Sequence, residues 1–517
     1  MKYVIAYDLG TGGLKTSLFD EQGVSAAGDF KQIQTYYLAP EFREQKPLEW
    51  WEAVVSGTKD IFAKTSVKPG DIVAAAVSGH SLGVVPIAKD GSLASEYVPI
   101  WTDGRAPGQA KDVFREIDEE EWYMKTGNGF PAHLYSAFKI RWYKENKPEL
   151  YHGVQAFIGT KDYLNYRLTG VLATDYSYAS GSGVYDLIKC DYDRDYIRRF
   201  GLRPEDFPPL RESADIIGKI KSEAAREMGL PEHLLIAAGG VDNACMAAGA
   251  GCVEEGMAYT SLGTSAWIAV SSREPVLNFK TKPYVFGHLI KGMYVSAEPT
   301  FSAGNTFRWV RDVICSDLLE IERKTGEDAY KLMDELARKS EIGAKGLIFN
   351  PTMAGACSLD KSVNAKGAIT GLDLQHTRGD IIRAALEGVC FALKMALEEL
   401  KKIAVLSGEM LIVGGGGKSR YWRQLFADIY GMTITESAVG EIAGSLGAAA
   451  CAAIGAGLWR DYSPLIRLNR AINTKTCNRE NYERYRKIFR VYLKVSGQQS
   501  EIADYKMAYE FHGKKKD

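Results

Sequence analysis

The sequence predicts an α/β protein made of two related domains. Three observations carry this reading: short apolar runs that look like strands alternate with helix-period segments, the glycines gather in turns directly after those runs, and one strand–turn–strand pattern recurs about 250 residues downstream.

The strand-like runs are YVIAYD, LLIAA, MAYTSL and MLIV. They are followed by GTGG (Gly10 to Gly13), Gly239–Gly240, Gly263 and GGGG (Gly414 to Gly417). A glycine turn after a strand is where backbone can approach an anion closely. The repeat pairs AYDLGTGGLKTSLF (Ala6 to Phe19) with YTSLGTSAWIAV (Tyr259 to Val270). Each reads as a β-hairpin with a small-residue turn, as in a duplicated domain whose halves each give one hairpin to a shared ligand. Arg378 to Lys402 reads as a helix, with apolar residues from Ile381 to Leu400 at the 3.6 period and Thr377–Asp380 as its capping box. The Ala/Gly-rich stretch Ile442 to Trp459 gains too little from lipid to span a membrane and reads as a tightly packed helix. From about Asn478 the tail reads as a surface helix, with its last residues, GKKKD, frayed.

Of the 517 residues, 46% are apolar and 25% charged, as in an ordinary globular protein. Lys+Arg number 64 against 65 Asp+Glu, so no charge excess points to nucleic acid. The opening MKYVIAYDLG meets Asp8 too early for a secretory leader. The eight cysteines and seven histidines are scattered without metal-ligand spacing, which argues against a structural metal and for a cytoplasmic protein.

Three segments carry chemistry. In Asp8-Leu9-Gly10-Thr11-Gly12-Gly13-Leu14-Lys15 a carboxylate ends a strand, a small-residue turn follows, and a lysine comes next. That order suits a Mg²⁺–nucleotide site, with Asp8 at the metal, Thr11 and the turn amides at phosphates, and Lys15 offsetting their charge. A plain hairpin is the bland alternative. GGGGKS (Gly414 to Ser419) is not a P-loop, because Ile412 stands where that pattern needs glycine. It could instead let a base or ribose lie on bare backbone, or be only a tight turn. In Gly239-Gly240-Val241-Asp242-Asn243 a carboxylate follows a strand and two glycines. It suits a general base for a sugar hydroxyl, or a helix cap.

Together these segments resemble the FGGY carbohydrate kinase family. GAITGLDLQHTRGDIIRAALEG (Gly367 to Gly388) fits that family's C-terminal signature, and KIRWYKEN (Lys139 to Asn146) fits the N-terminal one loosely, with Leu134 and Tyr143 off-pattern. DLGTGGLK resembles its first phosphate loop, SLGTS its second, GGGGKSRYWRQLFAD its adenosine loop, and IWTDGRA (Ile100 to Ala106) the sugar-site segment of xylulokinases. The resemblance runs from residue 3 to about 460.

The resemblance implies two actin-like ATPase (ribonuclease H-like) domains with a cleft between them: 1–245 on the sugar side, 246–460 on the nucleotide side, and a helical extension over 461–517. It implies ATP and Mg²⁺ as cofactors and Asp242 as catalytic base, with Asp8 as the Mg²⁺-linked carboxylate. Thr11, Gly12, Gly13, Lys15, Thr264, Gly304, Gly415, Gly416 and Arg420 would bind nucleotide. His80, Ser81, Leu82 and Asp103 would face the sugar beside Asp242. The expected partner is a small sugar, not nucleic acid or membrane, and a homodimer fits the family.

One departure bears on substrate. Xylulokinases carry a Met-His pair in G-Q-M-H-G, whereas this chain has Gly79-His80-Ser81-Leu82-Gly83. The resemblance implies a ketopentose such as D-xylulose, and the departure brings in the alternatives: another ketose, a four- or five-carbon polyol or an autoinducer-2-like molecule. An actin-like nucleotide switch lacks a reason for the GGVDN and IWTDGRA segments. A dead sugar sensor lacks a reason for intact Asp8, Asp242 and Thr264.

Overall fold

The computed structural model describes residues 1–469 and 471–509. The described residues of Met1–Glu255, Ser271–Ser296 and Ile442–Arg470 form one compact unit, and those of Gly256–Val270, Ala297–Glu441 and Ala471–Asp517 a second.

In unit 1, β1 (Tyr3–Gly10), β2 (Gly13–Asp20), β3 (Ser25–Gln32), β4 (Ile72–Gly79), β5 (Ile216–Lys219) and β6 (Leu235–Ala237) lie in the order β5-β6-β4-β1-β2-β3, and the short β7 (Gly240–Val241) also pairs with β4. The hairpin β1–β2 is antiparallel, while β1, β6 and β7 run parallel to β4. The inner strands are almost wholly buried, as the unbroken apolar run in YVIAYD suggests.

Unit 2 repeats this order. Its strands β8 (Ala258–Leu262), β9 (Ala266–Ser272), β10 (Tyr294–Thr300), β11 (Glu409–Val413), β12 (Thr433–Ser437) and β13 (Ala471–Lys475) run β10-β9-β8-β11-β12-β13. Here too an antiparallel hairpin, β8–β9, is followed by a parallel neighbour, β11. The internal repeat in the sequence is therefore a repeat of topology.

The helix read over 378–402 spans Arg378–Leu400. Its start is closed by Asp380, whose carboxylate accepts from Thr377 N at 2.7 Å and Thr377 Oγ1 at 2.8 Å. The tail helix spans Arg479–Ala508, capped by Asn478. The expectation for GKKKD falls outside the described residues.

The Ala/Gly stretch is the helix Ala443–Gly455, buried nearly throughout. It lies against the helix Asp242–Gly249 so closely that a Cβ at Gly249 would fall 1.7 Å from Ala443 O, and one at Gly447 2.0 Å from Cys245 O. A Cβ at Gly444 would come 2.7 Å from Asp8 Oδ2. Glycine at these positions lets two helices cross backbone to backbone and lets one of them begin at Asp8. Among the described residues, no helix is long and apolar enough to cross a membrane.

Candidate active site

Parallel pairing gathers the expected acceptor-side residues in unit 1. Asp8 in β1 pairs with Ser78 in β4, and Gly240–Val241 of β7 pairs with Ser78–Gly79. The carboxyl ends of three neighbouring strands thus deliver Asp8, His80 and Asp242 to one edge of the sheet, where open α/β sheets hold ligands. Lys15 stands opposite Asp8 in the hairpin register.

Burial holds both carboxyls above their usual range. For Asp242 the value is about 7, with the Asn243 amide opposing and the Asp8 charge adding to the rise. For Asp8, Ser78 and Lys15 pull the other way. A carboxylate poised near neutrality suits proton abstraction, because it can be ionised at working pH and still be basic enough to take a proton.

The turn Thr11–Gly12 is tied into this edge. Thr11 Oγ1 accepts from Trp101 Nε1 at 2.8 Å, and Thr11 O from Gln45 Nε2 at 2.7 Å. A Cβ on Gly12 would meet nothing within 4 Å, while one on Gly13 would strike Phe30 and Lys31 O. Gly12 is the open tip of the turn, whereas Gly13 is small because β3 crosses it.

His80 is buried, and neither ring nitrogen has a hydrogen-bond partner. Its ring stands edge-on to Trp50 at 5.8 Å. Burial lowers its pKa to about 4, so the ring is neutral. Ser81 and Leu82 are also buried, with Leu82 at φ 59, a left-handed conformation uncommon for a branched residue. Lys139, wholly buried, donates to Leu82 O at 3.1 Å and to Ile100 O at 2.7 Å, joining the His80 and Trp101 segments.

Asp103 is not left open for a ligand. Its oxygens accept from Arg105 Nε at 2.7 Å, Arg105 Nη2 at 2.9 Å and Arg43 N at 2.7 Å. Arg105 in turn reaches Glu44 at 2.5 Å and lies over Phe42 and Trp142. With its acceptors used, Asp103 shapes the segment.

Unit 2 holds a cavity of about 450 Å³, within the range of small-molecule sites. Its walls include Gly263 and, of the expected nucleotide residues, Thr264, Gly304, Gly415 and Gly416, so the structure brings four of these together. Gly304 N donates to Gly263 O at 3.0 Å, and a Cβ at Gly304 would fall 2.3 Å from that oxygen. The SLGTS turn therefore rests on Gly304. Gly415 has nothing within 4 Å of a built Cβ, whereas Gly416 would strike Leu262 at 2.6 Å. Gly415 is thus the glycine with open space before it, and Gly416 is small for packing.

Arg420 is exposed and is not among the cavity's walls. It opens the helix Arg420–Tyr430, and the turn before it, with Lys418 and Ser419, faces the cavity instead. The sequence reading missed Phe307, Tyr330, Asp334 and Trp422. Phe307 stacks on Tyr330 at 5.5 Å and leans on Trp422 at 5.3 Å, forming an aromatic wall. Asp334 accepts from Ser419 Oγ at 2.6 Å. Trp422 lies inside the adenosine-loop segment and Phe307 in FSAGNTFRW, three residues after Gly304, whereas Tyr330 and Asp334 carried no sequence signal.

The model of the FGGY family N-terminal domain matches residues 3–249, and that of the C-terminal domain matches residues 258–456. The chain belongs to the FGGY family of carbohydrate kinases. This FGGY chain is 28% identical to a xylulose kinase of Staphylococcus epidermidis over 499 residues, covering 96% of this chain and 97% of that one. It is 27% identical to a gluconokinase of Bacillus subtilis over 432 residues, 83% of each. Among solved structures, the ligand-bound xylulose kinase of Lactobacillus acidophilus superposes with a TM-score of 0.87 at 25% identity, covering 96% of this chain and 98% of that one. The repeated α/β unit is the actin-like ATPase fold of this family, and the protein is an ATP-dependent sugar kinase.

Proposed function

We propose that this kinase phosphorylates a hydroxyl of a ketopentose, D-xylulose first among them. The observation that carries the reading is Asp242, a carboxyl raised to about 7 at the sheet edge beside Asp8 and the His80 segment. Similarity to xylulose kinases over nearly the whole chain supports the substrate class.

Asp242 accepts the proton of the sugar hydroxyl as its oxygen attacks the γ-phosphorus of ATP. The new O–P bond forms as the bond to the ADP oxygen breaks. In this reading Lys15 and the Thr11–Gly12 turn are phosphate-binding residues, and Thr264 is the residue for the γ-phosphate. The nucleoside lies in the unit 2 cavity against Gly415 and the Phe307–Tyr330–Trp422 wall.

Asp8 fits a divalent cation. Among the described residues no cluster of three His, Cys, Asp or Glu forms a metal cage, but Mg²⁺ at phosphoryl-transfer sites is commonly held by one or two carboxylates, waters and the substrate's phosphates. A buried carboxyl whose pKa burial raises against the pull of Ser78 and Lys15 suits that part. When bound, Mg²⁺ neutralises charge on the phosphates.

A panel of ketoses and polyols, assayed by ADP release, tests the substrate. D-Xylulose is expected to stimulate release well above the sugar-free rate. Stimulation by a polyol or gluconate with none by D-xylulose would replace it.

His80 is proposed as the sugar-side group that compensates for Leu82. Two buried, unpartnered ring nitrogens are costly until a ligand pairs with one of them. His80→Ala is expected to lower kcat/KM for the sugar by about 1 to 3 kcal/mol, leaving the sugar-independent ATPase rate unchanged. Unaltered kcat/KM in folded protein would reduce His80 to core packing against Trp50.

A further inference from the structure

Asp242 follows a turn, Ala238 to Val241, whose backbone is held by a buried charge network that the reaction itself does not use. Lys161, Asp162 and Asp175 are at most 1% exposed. Lys161 Nζ lies 2.5 Å from Asp162 Oδ1 and 3.0 Å from Asp175 Oδ1. It also donates to Ala238 O at 3.2 Å, an oxygen that accepts from Asn165 Nδ2 at 2.8 Å as well.

The other Asp175 oxygen accepts from the Ser177 hydroxyl, from Ser177 N at 2.9 Å and from Ser213 Oγ at 2.8 Å. With its proton committed to Asp175, Ser177 Oγ presents its lone pair to Val241 N at 2.9 Å. Val241 is the residue immediately before Asp242. The turn between is already tight: Gly239 sits at φ 70, and a Cβ on Gly240 would lie 3.1 Å from Ser177 Oγ.

Burying one cation with two anions rarely adds stability, since desolvation offsets their attraction. Such a network is explained when it fixes a geometry, and here its hydrogen bonds end on the backbone that aims Asp242. We propose that Asp175, acting through the Ser177 hydroxyl, is a positioning residue that fixes the Val241 backbone and so orients the Asp242 carboxylate toward the acceptor hydroxyl. Misplacing a reacting group by about 1 Å can cost two orders of magnitude in rate, so a single fixed amide is worth keeping. The inference rests on Asp242 being the base.

The test is Ser177→Ala in the full chain, assayed with ATP and D-xylulose, alone and in an Asp242→Asn background. Alone it is expected to lower kcat about tenfold, with both KM values within about twofold. In the Asp242→Asn background it is expected to change the residual rate by less than about twofold, because there is no base left to aim. Equal losses in both backgrounds would show a general structural role and overturn the inference, as would an unchanged kcat. If Ser177→Ala does not fold, Asp175→Asn carries the same comparison, with the same outcomes deciding. If Asp242→Asn itself leaves kcat unchanged, the base assignment falls first, and the two failures are told apart by that single variant.

Discussion

Exchanging Asp242 for Asn is expected to lower kcat at least about 100-fold, within the range of general-base contributions, while leaving ATP binding near normal. Asn keeps the shape and the hydrogen bond from Asn243 N, at 2.8 Å in the native chain, but cannot take a proton. The helix that Asp242 opens should survive, because its crossing with Ala443–Gly455 is made by backbone and small residues. The native enzyme should also show kcat rising with pH as Asp242 ionises. Its carboxyl lies near 7 through burial and the Asp8 charge, so the protonated, inactive form dominates on the acid side. A cation at Asp8 cancels part of that repulsion and moves the limb to lower pH, never to higher. An Asn variant with kcat within about threefold of the parent would remove the base role.

The second large effect is expected at Gly415. A valine there meets open space in the free protein, so Gly415→Val should fold normally yet occupy the nucleotide's place in the cavity. The KM for ATP should rise by about tenfold or more, equivalent to roughly 1.4 kcal/mol or more of binding, with sugar affinity unchanged. Gly416→Val is the contrasting variant. Its side chain would collide with Leu262 and Trp422, and the expected result is a lower melting temperature. An unchanged ATP KM in folded Gly415→Val would move the nucleotide elsewhere.

Local patterns made much of this legible in the sequence. Asp8, Thr11, Asp242, Thr264 and the glycines at 304 and 415 each sit beside a strand end or a tight turn, where apolar runs and glycines mark the backbone path. The duplication was visible because the two hairpins kept their L-G-T turns. What stayed hidden depends on contacts distant in sequence. Nothing near Ser177 says that its hydroxyl meets Val241, 64 positions on. Tyr330 and Asp334 reach the cavity from a helix whose pattern is that of any amphipathic surface helix. Arg420 drew notice by its place after GGGGKS, but the turn ahead of it faces the cavity. Asp103 drew notice as an acid in a motif, and only the fold reveals Arg105 and the Arg43 amide as its partners. Gly415 and Gly416 are alike in sequence, and only the neighbours of a built Cβ separate an opening from a packing contact.

The most direct test follows the γ-phosphate of labelled ATP through turnover with D-xylulose. The expected result is label in a sugar phosphate, formed one for one with ADP and slowed at least about 100-fold in Asp242→Asn. Label appearing only as inorganic phosphate, at a rate indifferent to the sugar, would contradict the account.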